Sequence, residues 1–598
     1  FPDAPEDGVY IFNKEEELGK DVKVVFGINE ETIEFEITSN RPDCLSIIGL
    51  AREAAATLKT EFKKPVIKLK EEDDDVSKYV SVEVKDTDLC TRYTARVVKN
   101  VKIGPSPKWM RDRLSAAGIR PINNIVDITN YVMLEYGQPM HAFDIKDIKG
   151  SKIVVRRACD EEILKTLDDQ DRKLDSSMLV IADEERAIAV AGVMGGANSE
   201  IRESTDTIVF ESANFDGTSV RLTAKKLGMR TESSARFEKG LDTENVDAAM
   251  NRAAELVEQL GIGTVCKGII DCYHQKKDER TIKLRVEKIN DFLGTRISKE
   301  EMINILRMLE FEVDENNMTV KVPSFRPDVE REVDIAEEIV RFYGYNNIED
   351  TLLSGKAATL GKKTFKQSIE DLIKNTMIAC GLSETYTYSI TSPKVFDKLN
   401  LPADSELRKA VVISNPLGED YSVMRTTTIP DMLGVISTNY NRRIEGVRLF
   451  EMSYVYIPKS LPLCGLPYEK PVLTLGMYGV VDFYDLKGVV EELMTKLGIE
   501  DYDISPEKNN VIFHRGRTAV LSIKGEYAGV IGEVHPEVAE KFECPERTYI
   551  GVIETEKLVK NASTKSEYSP LPKFPAVTRD MALLVKDEIL VKQIEDII

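Results

Sequence analysis

Histidine is scarce in this chain: its 598 residues hold four, His141, His274, His514 and His535. A Ser-His-Asp triad would have to use one of them, and only His141, in QPMHAFD, has a suggestive setting. The eight cysteines form no CxxC pair. Cys266 and Cys272 lie closest together, with His274 beyond, but the spacing matches no standard zinc pattern and fits the reduced thiols of a cytoplasmic protein. No apolar run approaches the ~18 residues that a membrane span needs. The opening FPDAPEDGVY has none of the features of a signal peptide, and the chain reads as starting inside a larger protein. There is no GxxxxGK loop, no GxGxxG after a strand, no GxSxG elbow and no HExxH, so no nucleotide-hydrolysing machinery is visible. A basic excess is missing too: 81 Lys and Arg face 102 Asp and Glu, for a net charge of −21. That balance argues against a general nucleic-acid binder but leaves room for a local patch. One candidate is 221–239, where Arg221, Lys225, Lys226, Arg230, Arg236 and Lys239 outnumber Glu232 and Glu238. Such a run is more often a solvated helix face.

Apolar residues make up 42% and charged residues 31%, enough for several soluble cores. At about 100–200 residues per domain, the length suggests three to five domains. The pattern of elements is α+β and multidomain. Residues 1–75 are a partial domain with a strand at 32–37, a helix near 45–58 and a charged linker at 70–75. Residues 76–275 mix strands (80–84, 94–98, 152–157, 178–182, 187–191, 207–211) with helices (107–116, 128–135, 219–227, 236–260). Residues 276–350 form a small helix-rich domain. Residues 351–560 read as an antiparallel sheet flanked by helices, with a strand at 385–389 and a helix at about 429–441 among its elements. Residues 561–598 begin a last domain, with one strand in 568–585 and a helix from Val591, too little to close a core.

The richest stretch is VPSFRPDVEREVDIAEEIVRFYGY, 322–345. Pro323 and Pro327 favour extended backbone before a helix at about 330–342, and Gly344 stands where a cap belongs. Ile335, Ile339 and Phe342 form its buried stripe. Asp334, Glu337 and Glu338 share another face, and Asp328 can swing toward them. Converging carboxylates repel unless a cation lies between them, and hard oxygen ligands suit Mg²⁺. The plain alternative is a solvated acidic face.

Several long stretches carry a resemblance: SNRPDCLSIIGLAREAAA, PINNIVDITNYVMLEYGQPMHAFD, VAGVMGGANSEI, FESANFDGTSVRLTAKKLGMRTESSARFEKGLD, the 322–345 stretch, ISNPLGEDYSVMRTTTIPDMLGVISTNYNRR and PLPKFPAVTRDMALLV. Together they resemble, in family order, the beta subunit of bacterial-type phenylalanyl-tRNA synthetase. The family's N-terminal OB-fold portion and most of its ferredoxin-like anticodon-binding domain are not matched. The resemblance implies an (αβ)₂ heterotetramer that charges tRNA(Phe) with phenylalanine. ATP is used by the complex and not bound by this chain alone, because the alpha subunit holds the ligase site. It also implies a Mg²⁺ site shared with alpha at Asp328, Asp334, Glu337 and Glu338. The 351–560 unit would be a class II synthetase fold that has lost catalysis.

The same resemblance implies that 76–275 hydrolyses mischarged Tyr-tRNA(Phe). The family's catalytic positions fall on His141, Glu211 and Thr231, and its substrate-binding positions on Gly195 and Ser233. Tyrosine differs from phenylalanine by one hydroxyl. A buried Glu211 would accept that hydroxyl's hydrogen bond, which phenylalanine leaves unmade. Gly195 would let backbone approach the ring, and His141 would position or activate water. Ser233 departs from the alanine common at its place. The alternatives are structural: a satisfied His141 at a helix end, Glu211 paired with Arg221 or Arg236, and Thr231 and Ser233 as caps of the 236–260 helix. Two rival functions follow, a free-standing Tyr-tRNA deacylase and a tRNA-binding scaffold with an inert pocket.

Overall fold

Every residue of the strand Ile208–Phe215 is buried, so both of its faces are covered. Because successive side chains alternate, the strand feeds two cores. Val209, Ala213 and Phe215 join a core built with a second sheet, while Ile208 and Phe210 face helices. In the computed structural model the described residues are 11–12, 15, 17–26, 31–274, 276, 278–352, 361–565 and 568–598. The opening FPDAPEDGVY lies outside them. The chain divides into two compact units, 1–353 and 354–598.

In the first unit, one sheet orders Glu72–Asp75, Thr264–Lys267, Cys90–Lys99, Ile208–Phe215 and Met140–Asp144, with Ile270–Tyr273 also pairing with Cys90–Lys99. A second sheet orders Met194–Gly195, Ala187–Val190, Leu179–Ala182, Lys152–Arg157 and Ser81–Val84. Ile153, Val155, Val180, Ile188 and Val190 of the second sheet pack with Tyr93, Val97, Phe143 and Val209 of the first. The first sheet's other face is covered by the helices Asn124–Tyr136 and Asn245–Leu260, through Ile125, Ile128, Val132, Met250 and Ala253.

A three-stranded sheet follows, ordered Thr281–Lys283, Thr319–Lys321, Glu312–Asp314, with the helices Val286–Leu293, Lys299–Met308 and Glu332–Tyr343. Ile335 and Ile339 are fully buried there and Phe342 packs beside them, as the 3.6-residue period requires. Gly344 ends the helix at φ +100°, a backbone that side chains rarely adopt.

The second unit holds a seven-stranded sheet ordered Ser383–Glu384, Val447–Ile457, Tyr468–Tyr478, Thr548–Glu554, Glu526–Val534, Phe513–Ile523 and Tyr502–Pro506. All pairs are antiparallel except the first. The helices Phe365–Ala379 and Phe483–Lys496 cover one face and Ile429–Asn441 the other. A Cβ on Gly476 would stand 2.6 Å from Met432 Cγ, so that last helix lies against bare backbone. The architecture is α+β throughout.

Five local expectations change. Residues 32–37 form no strand; they have no ladder partner among the described residues and are mostly exposed. The charged 70–75 segment is not only a linker, because Glu72–Asp75 pairs in parallel with Thr264–Lys267. The helix expected over 236–260 is two, Glu232–Phe237 and Asn245–Leu260, with Gly240 at φ +80° between them. In place of a strand at 385–389 the chain has two short ones on either side, Ser383–Glu384 and Ile390–Thr391. Residues 568–585 form no strand and stay exposed, while Val591–Glu595 is helical. No helix of the described residues is long and apolar enough to cross a membrane.

Candidate functional site

Met140–Asp144, a strand the sequence did not announce, pairs with Ile208–Phe215 so that His141 stands directly opposite Glu211. Directly opposed residues share a face, with Cβ atoms about 4.5–5.5 Å apart. Tyr93 lies on the same face one step along, since Glu211 opposes Ala95 and Ala213 opposes Tyr93. The Tyr93 hydroxyl, fully buried, donates to Glu211 Oε2 at 2.9 Å. Burial raises the Glu211 carboxyl to about 8, against the lowering effect of that hydrogen bond. No arginine among the described residues pairs with it: Arg236 is bound to Glu232, on its own helix.

His141 is therefore in a strand, not at a helix end. Its ring meets Phe143 edge-on, with centroids 4.6 Å apart. Its Nε2 is buried and has no hydrogen-bond partner among the described residues. Desolvation lowers the imidazole to about 4, so it is neutral at pH 7. Buried polar atoms are nearly always bonded, so an orphan nitrogen marks room for a water or a substrate atom. Gly195 belongs to the same spot. A Cβ there would lie 2.5 Å from His141 Cε1 and 2.7 Å from Nε2. Only glycine lets the Met194–Gly195 backbone come so close to the ring.

Thr231 and Ser233 are tied to the turn that leads to Gly195. Thr231 Oγ1 donates to the Val193 carbonyl at 2.9 Å and accepts from Ser234 N at 3.0 Å. Ser234 Oγ accepts in return from Thr231 N, closing a capping box on Glu232–Phe237. Ser233 Oγ donates to the Gly192 carbonyl at 3.0 Å. Both hydroxyls thus anchor backbone. Thr231 caps the short helix and not the long one. Tyr93 is the residue that sequence reasoning missed; its signal was weak, an aromatic in a run of buried strand residues.

The acidic helix face is arranged differently from a four-carboxylate cage. Arg326, only 2% exposed, donates to both oxygens of Asp328 and both of Glu338, at 2.7–2.9 Å. Arg341 adds a bond to Glu338 and reaches Glu53, which Arg41 also binds. Asp334 uses Oδ2 to accept from the backbone N–H groups of Glu330 and Arg331. Glu337 is exposed. The cation between Asp328 and Glu338 is thus a guanidinium. As a set the four do not fit one magnesium ion in this chain; Asp334 Oδ1 and Glu337 are what the face leaves for one. Elsewhere Asp43, Cys44 and Glu53 place donor atoms within 4.8 Å of one another, the one such group among the described residues. Arg41 already binds all three. Cys266, Cys272 and His274 do not gather, and all eight cysteines are free.

Comparison with known proteins bears on the whole chain. Residues 89–261 match the family model of the B3/4 domain, 282–345 that of the tRNA synthetase B5 domain, and 348–554 that of the phenylalanyl tRNA synthetase beta chain CLM domain. The phenylalanine–tRNA ligase beta subunit of Clostridium acetobutylicum is 48% identical over 594 residues, covering 99% of this chain and 75% of the relative. That of Clostridium tetani is 48% identical over 601 residues, covering 100% and 76%. Among solved structures, an N-terminal fragment of the phenylalanyl-tRNA synthetase beta subunit from Pyrococcus horikoshii aligns with TM-score 0.29 at 18% identity, covering 51% of this chain and 85% of that one.

Proposed function

From the premise that this chain belongs to the bacterial-type phenylalanine–tRNA ligase beta subunits, we propose that it works with an alpha subunit in charging tRNA(Phe) and itself hydrolyses Tyr-tRNA(Phe) made in error. The ligase site and the ATP it uses belong to alpha in this reading, and the assembly is (αβ)₂. The observation that carries the editing half is the constellation of Glu211, His141 and Gly195, in which a buried carboxyl group stands across the ladder from a histidine whose buried Nε2 has no partner among the described residues.

Glu211, mostly neutral at pH 7 with its carboxyl raised to about 8, has Oε2 held by Tyr93, which leaves Oε1 for a second hydrogen bond. A tyrosine hydroxyl, donor and acceptor at once, supplies that partner; a phenyl ring does not, and the carboxyl then stays unsatisfied. His141, neutral and unpartnered, holds the attacking water at Nε2 as hydrogen-bond acceptor or general base. Gly195 seats its backbone against the imidazole and fixes the ring's position. Thr231 and Ser233 fix the Gly192–Val193 backbone behind it and act as positioning residues.

The test is hydrolysis of preformed Tyr-tRNA(Phe) by this chain, with and without alpha. Loss of the ester well above the buffer rate, with Phe-tRNA(Phe) spared, is the expected result. No hydrolysis even with alpha bound would leave the scaffold reading standing.

A magnesium ion shared with alpha is the second proposal. Asp334 Oδ1 and Glu337, at i and i+3, would be this chain's ligands, and alpha would have to complete the shell. Its chemistry would be structural, a charge bridge across the interface. Glu337→Ala touches an exposed side chain, so the fold should be unaffected. We expect it, and chelator on the native pair, to weaken αβ association several-fold in gel filtration. Association that is indifferent to both would dispose of the shared ion.

A further inference from the structure

The basic stretch at 221–239 is sorted by the fold. Lys226 pairs with Asp175 and Arg236 with Glu232, both at 2.5 Å. Arg230 is 3.9 Å from Glu238, a loose contact. Arg221 and Lys225, exposed and four apart on Gly217–Leu227, have no ion pair or hydrogen bond among the described residues. Residues at that spacing share one face, with Cβ atoms about 5–6 Å apart. Arg221, Lys225 and Arg230 line a groove of about 390 Å³, together with Met229, Ser234 and one carboxylate, Glu238. Three cations thus face one anion, in a chain whose net charge is −21.

The groove is linked to the site described above through the start of one short helix, Glu232–Phe237. Ser234 lines it and closes the capping box with Thr231. Thr231 in turn holds Val193, two residues from Gly195. An extended polyanion in the groove would therefore lie next to the place where its esterified end is cleaved.

We infer that Arg221, Lys225 and Arg230 form a phosphodiester-binding groove that holds the single-stranded 3′ end of a tRNA as its aminoacyl group enters the His141–Glu211 pocket. The occupant rests on the editing reading; the charge arrangement does not. Phosphate contacts position a nucleic acid without reading its sequence, and each contributes to the salt dependence of binding.

The test is the double variant Arg221→Gln, Lys225→Gln in the complex with alpha. Both residues are exposed, so folding is not in question. The first readout is kcat/KM for hydrolysis of Tyr-tRNA(Phe) divided by that for 3′-O-tyrosyl-adenosine, which has no phosphate. The ratio should fall about 10-fold or more, through KM on the tRNA ester. The second is the slope of log K against log salt for uncharged tRNA(Phe), which should shrink by about two, one for each lost contact. A ratio and a slope both equal to the native ones would overturn the groove. If the native complex hydrolyses neither ester, the editing reading fails, and the slope alone decides whether RNA lies here. A lost ratio with an intact slope would mean that the variant distorts the pocket, and would also overturn the proposal.

Discussion

Glu211→Ala is expected to erase most of the preference for Tyr-tRNA(Phe) over Phe-tRNA(Phe), by about 100-fold in the ratio of their hydrolysis rates. That is the worth of one buried hydrogen bond to a polarised acceptor, about 3 kcal/mol. The arrangement makes the effect selective. Tyr93 fixes one oxygen, so the carboxyl cannot turn to satisfy itself when phenylalanine enters. Glu211→Gln supplies a control through pH. The folded carboxyl is raised from 4.5 to about 8, so its contribution to stability is complete below 4.5 and is lost as pH rises through about 8. His141 has the opposite sign. Its imidazole falls from 6.5 to about 4, so its contribution is present above 6.5 and lost as pH falls through about 4. Thermal unfolding followed from pH 4 to 9 should therefore keep, in Glu211→Gln, the changes below pH 7 set by His141 and by Asp431, itself raised to about 7, and lose the native decline between pH 7 and 8. An alkaline limb that survives in Glu211→Gln would place the titrating group elsewhere.

What the sequence made legible follows from what kind of physics sets each element. Ile335 and Ile339 declare their helix because helical period and burial coincide there. Lys152–Arg157 and Ile429–Asn441 appear within the bounds that their apolar patterns suggest. Met140–Asp144 does not, because five residues after a helix carry too little alternation to read. Yet that strand decides the site: it turns His141 from a helix-end residue into the partner of Glu211. The family resemblance named both residues without showing that they oppose each other. Gly240 broke the long helix for a local reason, a positive φ, that periodicity does not register. On the acidic face, spacing misses a long-range partner. Helical spacing placed Glu338 with Asp334 and Glu337, but the cation that meets it comes from Arg326, twelve residues away. Thr231 and Ser233 lie between the two outcomes, since their capping and their place beside Gly195 depend on the same hydrogen bonds.

The arginine at the centre of that acidic cluster makes the second large prediction. Glu338 is 3% exposed and accepts from Arg326 and Arg341. Desolvation alone would raise its carboxyl, but the arginine bonds outweigh it and hold the group down at about 2. Its contribution to stability is then present above pH 4.5 and lost as pH falls through about 2. Glu338→Ala leaves Arg326 charged and buried, a change that typically costs about 3–5 kcal/mol. Asp328 still binds Arg326, so the lower end, about 3 kcal/mol, is expected. A chain of several domains has no single unfolding free energy, so the measurement is amide exchange in Glu332–Tyr343. Protection at Ile335 and Ile339 should fall by about two orders of magnitude at pH 7. Replacing Arg326→Met with Glu338→Leu removes the buried pair, leaves Asp328 to the solvent its side chain already reaches, and should restore part of that protection. If the double variant is no better protected than Glu338→Ala, the loss comes from packing, and the ion pair is not what holds the helix to Asp328 and the loop before it.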